Sequence, residues 1–138
     1  MTKGLGEWDD DAPVGEAPHA HDGDEPQLYY SSVDVFVREF LAPVYRRSLE
    51  GGRTRTWCPQ WWRHAEAITR LDALWRAWEH LRLDPATGMS VWLRDHADHH
   101  MAVLMDPDGP FKGCAPEKGH SDRLASLPVE DPPAKLFA

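Results

Sequence analysis

The sequence predicts an α+β, mainly helical fold: two principal helices plus a β-hairpin, behind a disordered acidic N-terminal tail. Three observations carry this expectation. Two stretches repeat apolar residues at helical spacing, a third alternates them at strand spacing, and the acids crowd into the first 27 residues.

Residues 1–27 hold eight acids (Glu7, Asp9, Asp10, Asp11, Glu16, Asp22, Asp24 and Glu25) against Lys3, so nearly all of the chain's formal net charge of −8 sits there. Few large apolar side chains accompany them. Low hydrophobicity with high charge cannot offset about 1–2 kcal/mol per residue of backbone ordering, and a disordered tail is expected. Trp8 within it reads as an isolated aromatic or a docking anchor.

The first helix starts at Ser31-Ser32. Val33, Phe36, Val37, Phe40, Leu41, Val44 and Tyr45 fall on one helical face. Ser31 with Asp34 resembles a capping box, and Pro43 should kink the helix or end its regular part. Gly51-Gly52 closes the segment. After a polar link from Arg53 to Trp57, a second helix is predicted from Pro59 to Leu83, with Trp61, Ala65, Ile68, Leu71, Trp75 and Trp78 on one face and Leu74 and Leu81 widening it. From Met89, the residues Met89, Val91 and Leu93 alternate with Ser90, Trp92 and Arg94. A second apolar run covers Met101 to Met105, and Asp95 to His100 lies between the two. That pattern predicts two short strands joined by a polar turn; a single helix is the competing reading. The Pro-Asp-Gly-Pro at 107–110 is a turn, and the chain beyond Phe111 is rich in Pro and Gly. The expected organisation is a tail over 1–27, a Trp-rich globular domain over 28–115, and a Pro-rich C-terminal extension over 116–138. Most of the seven tryptophans should fill the small core.

Composition excludes several classes. The start lacks the apolar stretch of a signal peptide, and no run approaches the ~18 apolar residues that span a bilayer, so no membrane insertion is expected. Two cysteines without an export signal favour a reducing compartment, hence the cytoplasm. No phosphate-cradling Gly-rich loop is present.

Several segments occur together in a recognisable way: Trp57-Cys58-Pro59-Gln60-Trp61-Trp62, Leu74-Trp75-Arg76-Ala77-Trp78-Glu79, Gly88-Met89-Ser90-Val91-Trp92, Asp95-His96-Ala97-Asp98-His99-His100-Met101, and Gly109-Pro110-Phe111 leading to Cys114. Over about residues 29–115 the chain resembles an actinobacterial domain family of unknown function found in plasmids, integrated conjugative elements and phages. The resemblance implies a mobile-element setting and transfers no catalytic residue. In that family position 99 is often Pro, which suits a turn; this chain has His99.

The candidate chemistry rests on Cys58, His64, His96, His100 and Cys114. Across a hairpin turn, His96 and His100 would face each other with Cβ atoms ~5 Å apart. Cys58 and Cys114 could then complete a structural Cys₂His₂ zinc site, with His64 as an alternate ligand. On an uninterrupted strand, His96, Asp98 and His100 would share a face, as in some metal-hydrolase sites. Cys58 or Cys114 could also act as a nucleophile with a His base, although no family signature supports that. Otherwise these are buried thiols and polar turn histidines. Nine Arg against five acids lie between Arg38 and Arg82, densest at Arg46, Arg47, Arg53 and Arg55, with Trp57, Trp61 and Trp62 following. Arg for phosphates and aromatics for stacking make these candidate nucleic-acid contacts; the plain alternative is a solvated helix face over core tryptophans. These residues, with the mobile-element setting that the resemblance implies, favour a non-enzymatic accessory protein. Such a protein would act through protein and DNA contacts, with a structural zinc. A small metal-dependent hydrolase built on His96, Asp98 and His100 is the alternative.

Overall fold

A computed structural model describes residues 27–138. The tail assigned to 1–27, including Trp8, lies outside the described residues except for Gln27. Three helical segments make the body. α1 spans 33–44 and combines an α-helical turn Val33–Phe36, a π-helical turn Val37–Leu41 and a last turn Ala42–Val44. α2 is Ala65–Leu81. α3 spans 88–105: an α-helical turn Gly88–Val91, a π-helical stretch Trp92–Ala97 and an α-helix Asp98–Met105. Short 3₁₀ turns sit at Glu50–Gly52 and Trp61–Arg63.

α1 forms where the periodicity puts it, capped one residue later than the motif suggests. Ser32 has the extended backbone of an N-cap, its hydroxyl donates to Asp34 Oδ1 (2.5 Å), and its carbonyl accepts the Phe36 N–H (3.1 Å). Pro43 explains the widened turn. Its ring would press on the carbonyl four residues back, and it offers no N–H of its own. The helix responds with an i→i+5 bond from the Ala42 N–H to the Val37 carbonyl.

α2 is shorter than the sequence suggests. His64 is extended (φ −107°, ψ 117°) and acts as its N-cap, so the stretch from Pro59 to Arg63 is a separate turn rather than the helix's beginning. The buried face is Ala67, Leu71, Leu74, Trp75 and Trp78. Ala65 and Ile68, expected on that face, are exposed. Trp62 is also exposed, and the Arg63 guanidinium lies 5.7 Å from its ring centre.

The predicted β-hairpin over Met89 to Met105 is absent: this stretch is α3, and the described residues contain no strand, only an isolated bridge between Ala115 and Gly119. The alternation misled because its presumed outward residue, Trp92, is fully buried while Leu93 is 39% exposed. Beyond Gly88 at its start, the buried positions are Trp92, Ala97, Met101, Leu104 and Met105. The first gap of five matches a π turn, and the later gaps of four and three match an α-helix, so the period drifts along one helix. Gly88 permits the tight α2–α3 connection. A Cβ there would lie 1.9 Å from the Leu81 carbonyl oxygen. Asp84 ties that loop by accepting the backbone N–H groups of Ala86 and Thr87 and the Thr87 hydroxyl.

α1 and α3 pack on α2 around an aromatic cluster. Phe36 lies 6.2 Å from Trp92 and 5.8 Å from Trp78, and Phe40 lies 5.1 Å from Trp78. The Trp92 indole N–H donates to the Leu74 carbonyl (2.9 Å). Buried Glu79 accepts the backbone N–H groups of Tyr29 (2.7 Å) and Tyr30 (3.1 Å), fastening the segment before α1 onto α2. None of the described helices is long and apolar enough to cross a membrane.

Candidate metal centre

At the end of the molecule away from Glu79, two loops meet. The first runs into α2 and carries Cys58 and His64. The second follows α3 and carries Cys114 and His120. Thr56 stitches them together: its N–H donates to the Met105 carbonyl (2.9 Å) and its hydroxyl to the Cys114 carbonyl (2.5 Å). Past Cys114 the chain reverses. Ala115 and Gly119 exchange two backbone hydrogen bonds (3.2 and 2.7 Å), and Gly119 takes φ +76°, a left-handed backbone that glycine adopts without penalty. The reversal returns His120 to Cys114. Phe111, fully buried, supports the floor, its ring 4.9 Å from His64 and 5.1 Å from Trp57.

One donor atom from each of Cys58, His64, Cys114 and His120 lies within 4.8 Å of the others. His120 Nδ1 stands 3.4 Å from Cys58 Sγ and 4.0 Å from Cys114 Sγ, and His64 Nε2 stands 3.6 Å from Cys114 Sγ. Both thiols are free and buried. Such spacings suit four ligands at the corners of a tetrahedron with metal bonds of about 2.0–2.3 Å, and two sulfurs with two imidazoles are a zinc donor set. The surroundings fit as well. His120 Nε2 faces Asp122 Oδ1 at 2.5 Å, which makes Nε2 the protonated nitrogen and leaves the Nδ1 lone pair pointing at the sulfurs. The Ser121 N–H donates to Cys114 Sγ (3.2 Å). Burial, followed by the neighbouring His120, pushes the His64 pKa down and favours the neutral ring a metal requires. Burial is also the main force that pushes the Cys58 pKa up, with Cys114 adding to it. The metal-free thiol therefore keeps its proton until a cation displaces it.

Of the sequence candidates, Cys58, His64 and Cys114 meet here. His96 and His100 lie on α3 as i, i+4 neighbours, outside this cluster. His100 Nδ1 is 2.9 Å from Arg70 Nη1, and burial, then that guanidinium, lower the His100 pKa. Asp98 accepts the Tyr45 hydroxyl (2.6 Å). On a helix it points about 200° away from its neighbours at ±2, so the shared face of the hydrolase reading does not form. His120 was missed because it lies in the Pro- and Gly-rich stretch past 115. One signal could have found it: Cys58 to His64 and Cys114 to His120 share the spacing Cys-x₅-His. Arg46, Arg47, Arg53 and Arg55 are all exposed around the first 3₁₀ turn.

Fold and site together define a small protein whose described residues form three helical segments and a Cys₂His₂ cluster that could hold a metal ion. The chain belongs to the family described as "Domain of unknown function (DUF4913)", whose model matches residues 30–133. No curated protein and no solved structure matches it.

Proposed function

We propose that this is a non-enzymatic accessory protein whose two loops are clamped by one structural zinc ion, held by Cys58 Sγ, His64 Nε2, Cys114 Sγ and His120 Nδ1. The convergence of these four donors within 4.8 Å carries the reading. Four protein ligands close the coordination sphere, as in structural sites, whereas catalytic zinc keeps a position for water. The ion would tie residues 116–122 to the globular body, so the working unit would run from 28 to about 122. A role in an actinobacterial mobile element, exercised by protein contacts in the cytoplasm, is supported by the Trp-Cys-Pro-x-Trp-Trp and Asp-His-Ala-Asp-x-His-Met motifs. DNA as a second partner is supported by exposed Arg46, Arg47, Arg53 and Arg55.

Native mass spectrometry of the full chain, with and without chelator, tests the clamp. One zinc per chain is expected, lost in Cys58→Ser and Cys114→Ser and kept in His96→Ala and His100→Ala. Cobalt substitution should give a tetrahedral spectrum that added anions leave unchanged. A folded chain that binds neither ion would overturn the reading, and an anion-sensitive cobalt spectrum would turn it towards catalysis.

A further inference from the structure

Two sets of arginines in this chain differ in their partners. Along the helices, Arg70, Arg76, Arg82 and Arg94 pair with Glu66, Asp72, Glu79 and Asp95. Among the described residues, Arg46, Arg47, Arg53 and Arg55 form no ion pair, and the Arg47 Nη1 donates only to the Arg46 carbonyl (3.0 Å).

Arg46, Arg47 and Arg55 of this group border a groove. Leu41, Leu49, Met101 and Met105 line an apolar cavity of about 210 Å³, with Trp57 on its wall and Arg46 and Arg47 at its rim. A wider cavity of about 490 Å³ shares Tyr45, Arg47, Met101 and Met105 with it and adds Arg55, Asp98 and Asp106. Two acids also line the wider cavity, Asp98, which accepts the Tyr45 hydroxyl, and Asp106, whose Oδ1 accepts the Asp108 N–H (2.9 Å), whereas the smaller cavity has Arg46 and Arg47 and no acid in its lining. A fitting ligand therefore has one bulky apolar group, for the smaller cavity, flanked by carboxylates for the rim.

The chain carries such a segment outside the described residues. Trp8 is followed directly by Asp9-Asp10-Asp11, with Leu5 and Glu7 before it. The reach is sufficient: from Trp8 to Gln27 an extended chain covers up to about 60 Å, several times the roughly 13 Å radius of gyration of a domain this size. Tethering also keeps the local concentration near the millimolar range.

We propose that residues 5–11 dock intramolecularly in this groove, with Trp8 in the cavity lined by Leu41, Leu49, Met101 and Met105 and Asp9–Asp11 against Arg46, Arg47 and Arg55. Glu7, Asp9, Asp10 and Asp11 are thereby brought to arginines that form no ion pair among the described residues.

The test uses the full chain with p-benzoylphenylalanine in place of Trp8, irradiated and mapped by peptide mass spectrometry. Cross-links within one chain to residues 41–57 or 101–105 are expected. They should be lost in Arg46→Glu/Arg47→Glu, and in about 1 M salt, where charges are screened beyond about 3 Å. Both substitutions are on exposed side chains, and a thermal melt confirms that the variant folds. Cross-links between two chains, cross-links elsewhere, or a pattern indifferent to charge reversal overturn the proposal. Absent intramolecular cross-links combined with protection of Arg46–Arg55 by a thymidine oligonucleotide also overturn it and assign the arginines to nucleic acid.

Discussion

The two ends of this molecule are built on different principles. At the Glu79 end, three helices close over Tyr30, Phe36, Phe40, Trp78 and Trp92, and fully buried Phe36 and Trp92 have their apolar surface removed from water. At the Cys58 end, two loops converge with little regular structure, and what gathers there is two thiols and two imidazoles. Aromatic burial stabilises the first end, at roughly 25 cal/mol per Å², and the Glu79 carboxylate fastens it through the Tyr29 and Tyr30 N–H groups. The second concentrates polar donors that cost free energy when buried unless something satisfies them. A fold can thus combine an end that assembles from hydrophobic patterning with one whose donors are placed so that they could hold a metal ion.

The sharpest way to break this contrast is Trp92→Ala. It removes a fully buried indole and its bond to the Leu74 carbonyl, and it should cost about 3–5 kcal/mol. The melting temperature should fall by at least about 10 °C in calorimetry. Because the lost contacts belong to the aromatic end, the loss should be similar with and without chelator. If chelation erased the difference between the variant and the parent, the two ends would be one cooperative unit and the contrast would fail.

A smaller effect is expected at Glu79, where α2 holds the segment before α1. Burial raises the pKa of its carboxyl, but the Tyr29 and Tyr30 N–H groups and Arg82 outweigh that and hold it below the ordinary value. A carboxylate whose folded pKa is depressed stabilises the protein above its unfolded pKa, about 4.3, and that contribution disappears as pH falls through the lower folded value. Glu79→Gln should cost about 1.5–3 kcal/mol at neutral pH, the scale of hydrogen bonds to a charged group. The difference from the parent should shrink in urea melts carried out below pH 4. A pH-independent difference would mean that the side chain works through shape rather than charge.

How much was legible in the sequence follows the same division. Leu71, Trp75 and Trp78 announced α2 because a regular α-helix keeps one period over its whole length. α3 was obscured because Trp92 and Ala97 are buried five residues apart, and a π turn in mid-helix breaks the 3.6 period that pattern reading depends on. A local alternation at 89–94 then imitated a strand. At the site, Cys58, His64 and Cys114 could be named from residue type alone. The fourth donor beside them, His120, depended on a reversal at Gly119, and turn geometry leaves only a faint mark in one sequence. The pairing of His96 and His100 across a turn depended on the hairpin: on a helix the two are i, i+4 neighbours outside the Cys58 cluster.

The smallest effect separates a metal site that is built from one that is merely rich in donors. Asp122 is exposed, yet it meets His120 Nε2 at 2.5 Å, and that hydrogen bond, the largest influence on its carboxyl, holds its pKa below the usual range. Partners of this kind orient a ligating ring, and their removal typically weakens metal binding about 10–100-fold. Asp122→Ala should fall near the lower of these figures, because solvent competes for the bond at an exposed carboxylate. Competition against a chromophoric zinc chelator reads the change. The thermal melt of the chelated protein should stay where it was, since nothing at the aromatic end touches Asp122. Unchanged zinc affinity would mean that His120 holds its tautomer without help, and a shifted melt in the chelated protein would mean that Asp122 supports the fold rather than the ligand.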